Sequence, residues 1–494
     1  MSTPSSLASG PEGPHALRPL LDTVLDALSE GARVRGGPLP SGGPEAVAVR
    51  LRDAIGDVLP DQGDPDALHD IVRALAEGAA DPSDPFCAAH LHCPPLALAT
   101  AADLAASALN PSLDSWDQAP GASELEGLVT EALAAEVFGT AASRSTPPPK
   151  APSAPKATAA PNAPSALNAP SALITTGGTE SNQLALLLAR ETHGADVRLV
   201  HGANAHHSLP RAAWLLGLPE PVVVPAPAGT LDPAALGEAL TSCAGQRLRR
   251  GSAQPGSLVV AATAGTTDAG LIDPLPEIAA LCAAHGARLH VDAAYGGALL
   301  FSDRYRDRLT GLDAADTVTL DLHKLGWQPV AAGLLAVRDP HDLAVLHHRA
   351  DYLNAEDDTE AGLPDLLGRS LRTSRRPDVL KIAVTLKALG RTGLGRLVEQ
   401  VCDHAGEFAA LVHDHPGFEL YAPPTISTVL FRPAHTGDAA VAAVRRRLLT
   451  DGRAVLGRAR IDGRLWLKAT LLNPHTRPDD LAALLKLVEG NTPR

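Results

Sequence analysis

Two short runs in the middle of the chain end in side chains of unusual chemical use. An apolar stretch from Arg288 to Val291 ends in Asp292, within HVDAAYGG, and a second from Val318 to Leu322 ends in His323 and Lys324, within DLHKLGWQP. Apolar runs of this length read as buried strands. An acid and a lysine at the carboxyl ends of two strands are what an open α/β sheet offers a ligand at its crevice. Lys324, flanked by the apolar Leu322, Leu325 and Trp327, is suited to being a neutral, nucleophilic amine that condenses with an aldehyde. Asp292 is suited to holding a proton on a pyridine nitrogen, so that the ring accepts the electron pair left when a bond to a substrate Cα breaks. The pair points to pyridoxal 5'-phosphate carried covalently on Lys324.

A phosphate needs a cradle, and LITTGGTESNQLALLLAR supplies one. A short apolar strand runs into Thr176-Gly177-Gly178-Thr179, and a helix with the stripe Leu184, Leu187 and Leu188 follows. Free N–H groups at such a helix start hold anions. Downstream come VRLVHGANAHHSLPRAAWLLGL, a strand at Val222 to Val224, a helix start at Asp232-Pro233, and LVVAATAGTTDAGLIDPLPEIAALCAAHG, in which Asp268 and Asp273 serve the turn and helix entry. Strands alternating with helices imply a mostly parallel sheet with helices on both faces. After Lys324, Gly333 to Val337 reads as a further strand. From about Gly395, helices (Leu397 to Val412, Ala439 to Asp451) and strands (Val429 to Arg432, Arg464 to Ala469) form a smaller α+β domain. GRTGLGR is no dinucleotide fingerprint, since no strand precedes it.

The N-terminal side is helical. Three amphipathic segments, Ala16 to Leu28, Pro44 to Val58 and Asp66 to Ala76, carry apolar stripes that must pack on the main body or on a second subunit. Two more helices follow, Ala97 to Leu109 and Ser123 to Val137. Between Thr140 and Ala172 proline and alanine dominate without apolar periodicity, which predicts a mobile loop or extended linker. The expected division is a helical arm over 1–84 with its first residues disordered, a cofactor-binding domain over 85–390 interrupted at 140–172, and a small domain over 391–494.

A chain of 494 residues has room for two or three such units. Its formal charge of -14, from 42 basic and 56 acidic residues, disfavours nucleic acid or an anionic membrane as partner. No apolar run reaches the ~18 residues that span a bilayer, and MSTPSSLASGPEGPH lacks the basic start and apolar centre of a signal peptide. Five scattered cysteines without CxxC spacing fit a reduced, cytoplasmic setting. His90, His92 and Cys93 in HLHC offer no tetrahedral zinc set, so no metal is expected.

HVDAAYGG, DLHKLGWQP, TGGTESN and AHHSLPRAA together resemble the group II pyridoxal-phosphate decarboxylases, which include aromatic amino acid, glutamate, 2,4-diaminobutyrate and bacterial lysine enzymes. The resemblance implies the fold type I architecture of the aspartate aminotransferase superfamily, a homodimer, and an L-amino acid as substrate. It places cofactor contacts at Gly178, Thr179, Thr267, Asp292, Ala294, Asp321, His323 and Lys324, and it assigns His207 to stacking over the pyridine ring, leaving His206 an ordinary loop residue. Tyr352, 28 residues beyond Lys324, falls on the family's mobile catalytic loop, where a tyrosine returns a proton to the substrate Cα. Arg375 and Arg376 match a basic pair that reaches a phosphate or carboxylate, or forms a structural salt bridge. HLHCPP and SLDSWDQ look closest to the diaminobutyrate and lysine branch and implicate His90, His92, Asp114 and Trp116 in the substrate pocket. Asp114 would pair with a distal ammonium, which favours 2,4-diaminobutyrate, then lysine or ornithine. The alternatives are an aromatic amino acid decarboxylase, or an aminotransferase that uses Arg464 or Arg477 for the substrate carboxylate. The proline-rich insertion departs from the family pattern.

Overall fold

The computed structural model describes residues 6–139, 169–250, 256–348 and 350–493, and most of the proline- and alanine-rich insertion lies outside them. The chain divides into two compact units, one of residues 95–106 and 110–399, the other of residues 1–94, 107–109 and 400–494.

The larger unit is built on a seven-stranded sheet. Its order is Ser171–Thr175, Gly333–Val337, Thr317–Asp321, Arg288–Asp292, Leu258–Thr263, Arg198–Gly202 and Val222–Val224. Gly333–Val337 runs antiparallel to both neighbours, and the other pairings are parallel. This is the mostly parallel α/β sheet that the strand-helix alternation predicts, of the fold type I that the resemblance implies. The helix Gly178–His193 covers it with two rows of side chains. Leu184 and Leu188 pack on Leu173, Leu335 and Val337, while Leu186 and Ala189 meet Leu199, Leu209 and Val259. Each such leucine, fully buried, contributes about 1.5–3 kcal/mol, so the helix start is held firmly against the strand ends. Gly333 lets the two antiparallel neighbours close, because a Cβ there would lie 2.4 Å from Thr175 Oγ1.

The smaller unit holds a five-stranded sheet in the order Cys87–Ala88, Val455–Ile461, Arg464–Thr470, Thr428–Pro433 and Phe418–Leu420. Only the first pairing is parallel. Phe408, Val412, Phe431, Val444, Leu448, Leu467 and Leu484 form its core. Val455–Ile461 and the helix Pro478–Asn491 escaped the sequence reading. Their local signals exist: Ala459 is buried between the exposed Arg458 and Arg460, and Asp480 accepts from the Arg477 N–H across a proline-led first turn.

All three N-terminal helices form, as Gly13–Arg35, Gly43–Ile55 and Ala67–Gly78. The first and third meet through small residues, burying Ala27, Gly31, Ala74 and Ala76. The contact is close enough that a Cβ on Gly31 would sit 2.4 Å from the Arg73 carbonyl oxygen. The stripes that the periodicity marks are left partly outward within the single chain, with Leu25 62% and Leu75 61% exposed while Leu17, Leu21 and Val24 are half-buried.

Candidate active site

Alternation along three neighbouring strands sets the floor of the site. His290 lies opposite Thr317 and Asp292 opposite Thr319, while Asp292 faces Thr263 on the other side. Because side chains two apart share a face, His290, Asp292, Thr317, Thr319 and Asp321 form one polar row on a sheet otherwise packed with aliphatic residues. Buried polar atoms must find partners, and the helix Gly178–His193 brings one. Asn182, in its first turns, donates through Nδ2 to Asp292 Oδ2 at 2.8 Å. Asp292 Oδ1 accepts from the Ala294 N–H at 3.1 Å. Two N–H donors thus fix the plane of a carboxylate that is only 6% exposed.

Lys324 follows the strand Thr317–Asp321, and its flanks are closed: Leu322, Leu325 and Trp327 are buried as the sequence predicts. Nζ lies 3.1 Å from Asp321 Oδ2, and His323 Nε2 lies 3.5 Å from the same oxygen. Burial pushes the His323 imidazole below its ordinary range, with Asp321 opposing and Lys324 assisting. The glycine turn sits directly against this group. A Cβ on Gly178 would approach Ala294 Cβ at 3.1 Å and Asp321 Oδ2 at 3.2 Å, and one on Gly177 would approach His323 Cε1 at 3.0 Å. Gly178, Ala294, Asp321, His323 and Lys324, separated by up to 146 positions in the chain, are therefore brought to one place. Thr179 is exposed beside them in the same first turn, and Thr267 is exposed in the turn after Leu258–Thr263. Asp273 does more than serve a helix entry. Buried, it accepts from the Thr263 and Leu231 N–H groups and from Asn204 Nδ2, and burial raises its pKa against those donors.

The two adjacent histidines differ in their surroundings. His207 is exposed and precedes the helix Ser208–Leu215, its ring 4.2 Å from that of His206. His206 is the half-buried one, and its Nδ1 meets Ser208 Oγ at 2.8 Å. Burial lowers its pKa, opposed by Asp292 and Asp321 and assisted by His207 and Lys324. Gly178 lies against both Ala294, whose N–H meets Asp292, and Asp321, which meets Lys324, so Asp292 and Lys324 share one site rather than lying on opposite sides of the sheet. The difference in burial is local, since His207 directly precedes a helix, and HH in a loop does not reveal it.

Arg375 and Arg376 are both occupied within the chain. Arg375 Nη1 donates to both oxygens of Glu126, at 3.0 and 2.8 Å, in a pair whose side chains are 2% and 5% exposed. Arg376 joins Asp103, which also meets the fully buried Lys381 at 3.1 Å. Of the two readings open for this pair, the structural salt bridge is the one observed. Tyr352 lies in a turn and is 84% exposed. Asp114 is buried, accepting from Gln118 Nε2 at 2.7 Å and Ser374 Oγ at 3.4 Å, and Trp116 beside it is 40% exposed. His90 and His92, both exposed, belong to the other compact unit. Arg464 and Arg477, the residues an aminotransferase would need, pair with Glu419 and Asp480.

These residues fit pyridoxal phosphate on structural grounds. Among the described residues, the buried Asp321 Oδ1 and Thr263 Oγ1 have no hydrogen-bond partner, the backbone at Gly178 approaches Ala294 and Asp321 more closely than a side chain would readily allow, and the helix start at Gly178 has no side-chain cap. Fold and site together define a pyridoxal-phosphate-dependent enzyme of fold type I. More narrowly, the chain belongs to the pyridoxal-dependent decarboxylase family, whose conserved domain it matches over residues 50–434. It is similar to an L-2,4-diaminobutyrate decarboxylase of Rhizobium meliloti (strain 1021), 39% identical over 97% of this chain and 91% of the relative. An enzyme of the same name from Acinetobacter baumannii is 30% identical over 83% of this chain and 80% of its own length. Among solved structures, the glutamate decarboxylase domain of a diaminobutyrate-pyruvate transaminase and L-2,4-diaminobutyrate decarboxylase from Vibrio parahaemolyticus superposes with a TM-score of 0.80. It is 29% identical and the match covers 98% of this chain and 97% of that one. The Oryza sativa TDC with PLP and tryptamine, 22% identical with a TM-score of 0.82 over 98% and 99% of the two chains, shares the fold.

The sequence reading missed Asn182, Ser208 and His290, and set His206 aside. His290 was within reach, since it stands two residues before Asp292 on a strand of period two. Asn182 and Ser208 carry no such mark, because what they touch is fixed by helices packing on the sheet.

Proposed function

We propose that this enzyme decarboxylates a diamino acid, 2,4-diaminobutyrate first and lysine or ornithine after it, to the amine and carbon dioxide. The observation that carries the substrate class is Asp114, a buried carboxylate whose hydrogen bonds come from the neutral donors Gln118 and Ser374. A buried carboxylate calls for a cation, and a distal ammonium of the substrate supplies it. The names borne by the relatives agree. Trp116 remains assigned to the surroundings of the substrate side chain.

In this reading Lys324 holds the cofactor, Gly178 and Thr179 receive its phosphate, and Thr267, Ala294, Asp321 and His323 line its remaining edges. Bound pyridoxal phosphate supplies an electron sink for the bond that breaks at Cα. Asp292 holds a proton on the pyridine nitrogen. His206 takes the stacking place earlier given to His207, and it orients the carboxylate that leaves. Tyr352, on its exposed turn, returns a proton to Cα once the loop covers the site. A homodimer in the cytoplasm completes the proposal, supported by the outward leucines of the N-terminal helices and by five free thiols.

The test is a panel of amino acids given to the holoenzyme, with carbon dioxide release measured alongside keto-acid formation. Turnover of 2,4-diaminobutyrate, lysine or ornithine ahead of all others is expected, and Lys324→Ala should abolish both turnover and the absorption band of the lysine-bound cofactor. Faster turnover of tyrosine or tryptophan, or keto acid in place of carbon dioxide, overturns it.

A further inference from the structure

Asn182 is fully buried, and every hydrogen-bonding position of its amide is used. Nδ2 donates to Asp292 Oδ2 at 2.8 Å and to Ser208 Oγ at 2.9 Å, while Oδ1 accepts from Thr319 Oγ1 and meets His290 Nε2, each at 2.9 Å. An amide has two donors and an acceptor oxygen with two lone pairs, so this set is complete. A carboxylate oxygen accepts, and Asp292 therefore decides which end of the amide faces it. That choice spreads in both directions. Ser208 Oγ accepts from Asn182 and keeps its own proton for His206 Nδ1, 2.8 Å away. His206 then receives at Nδ1 and carries its proton at Nε2. On the other arm Asn182 Oδ1 takes the Nε2–H of His290, whose Nδ1 is left to accept from Thr317 Oγ1 at 2.9 Å. Burial favours the neutral form of both rings, which these two assignments require.

We propose that Asn182 and Ser208 are positioning residues for the decarboxylation. They transmit the polarity of the Asp292 carboxylate to His206 and lock its imidazole as the Nε2–H tautomer. This rests on the reading of Asp292 and His206 given above. The consequence is chemical. The free edge of His206 becomes a donor, and the group to be expelled from the substrate, a carboxylate, has only acceptor atoms. With the opposite tautomer, a lone pair would face those oxygens.

The tautomer can be read without turnover. In the holoenzyme carrying 15N-labelled histidine, the His206 resonances, assigned by their loss in His206→Gln, should show a protonated Nε2 and an unprotonated Nδ1. A protonated Nδ1 overturns the proposal, whatever substrate the enzyme proves to use. Ser208→Ala removes the hydroxyl and leaves the groups that surround His206, namely Asp292, Asp321, His207 and Lys324, unaltered. With the hydroxyl gone, only the longer contact from the Ser208 N–H, at 3.4 Å, still reaches His206 Nδ1, so His206 takes up a proton more readily and the acid limb of the kcat profile should move to higher pH. The kcat should fall about tenfold or more with KM little changed, as expected when a reacting geometry is loosened. The lysine-bound cofactor band should persist in this variant, which separates loss of positioning from loss of the cofactor. In Asn182→Leu nothing at that position is left to donate to Asp292, and the band itself should shift. A Ser208→Ala enzyme with the wild-type pH profile and kcat, or an Asn182→Leu enzyme with the wild-type spectrum, refutes the proposal.

Discussion

His290 offers a quantitative test of the buried network. Its ring is completely enclosed, and burial drives its pKa from the ordinary 6.5 down to about 4, despite the nearby Asp292. The neutral ring is thus the folded form. As pH falls below 6.5 the unfolded chain binds a proton at this position while the folded chain refuses it until about 4, so the unfolded state gains stability across that window. The gap between 6.5 and about 4 corresponds to roughly 3 kcal/mol lost on full acidification, and about 2 kcal/mol at pH 5. His290→Gln keeps an N–H for Asn182 but cannot titrate. Urea unfolding of the two proteins at about pH 7, 6 and 5 isolates the term, because the other histidines are common to both. The variant should start out less stable near neutrality and then lose about 2 kcal/mol less than wild type on reaching pH 5. Parallel losses in the two proteins would refute the assignment of a neutral, hydrogen-bond-donating His290.

Glu126→Ala leaves Arg375 buried without its carboxylate and should cost about 3–5 kcal/mol of stability in chemical unfolding, well above the cost of a surface ion pair. Gly178→Ala forces a methyl group against Ala294 and Asp321, an overpacking of about 1–3 kcal/mol that should weaken cofactor retention by about five- to a hundredfold in an absorbance titration. Asp114→Asn removes the charge proposed to meet the distal ammonium. It should lower kcat/KM for a diamino acid by about ten- to a hundredfold, while a substrate lacking the second amine is little affected.

Much of this protein is written locally. The strands that lead to Asp292 and Lys324, the glycine turn at Gly178, and the helices Ala97–Leu109 and Gly178–His193 follow from periods of two and 3.6 and from small residues at turns, all properties of neighbours in the chain. The cofactor was legible for the same reason, because an aldehyde-binding lysine and a ring-nitrogen acid each announce themselves by position at a strand end. Which of His206 and His207 is the more buried depended on where the helix Ser208–Leu215 begins relative to the sheet. Whether Arg375 meets an anionic ligand or Glu126 depended on a helix 249 positions away. The network around Asn182 joins residues up to 137 positions apart, and no local pattern records it. Hydrogen bonding is directional and short-ranged, so its partners are settled only when packing brings distant segments within reach. Side-chain chemistry and periodicity travel with the sequence, whereas the direction in which each proton points belongs to the folded chain.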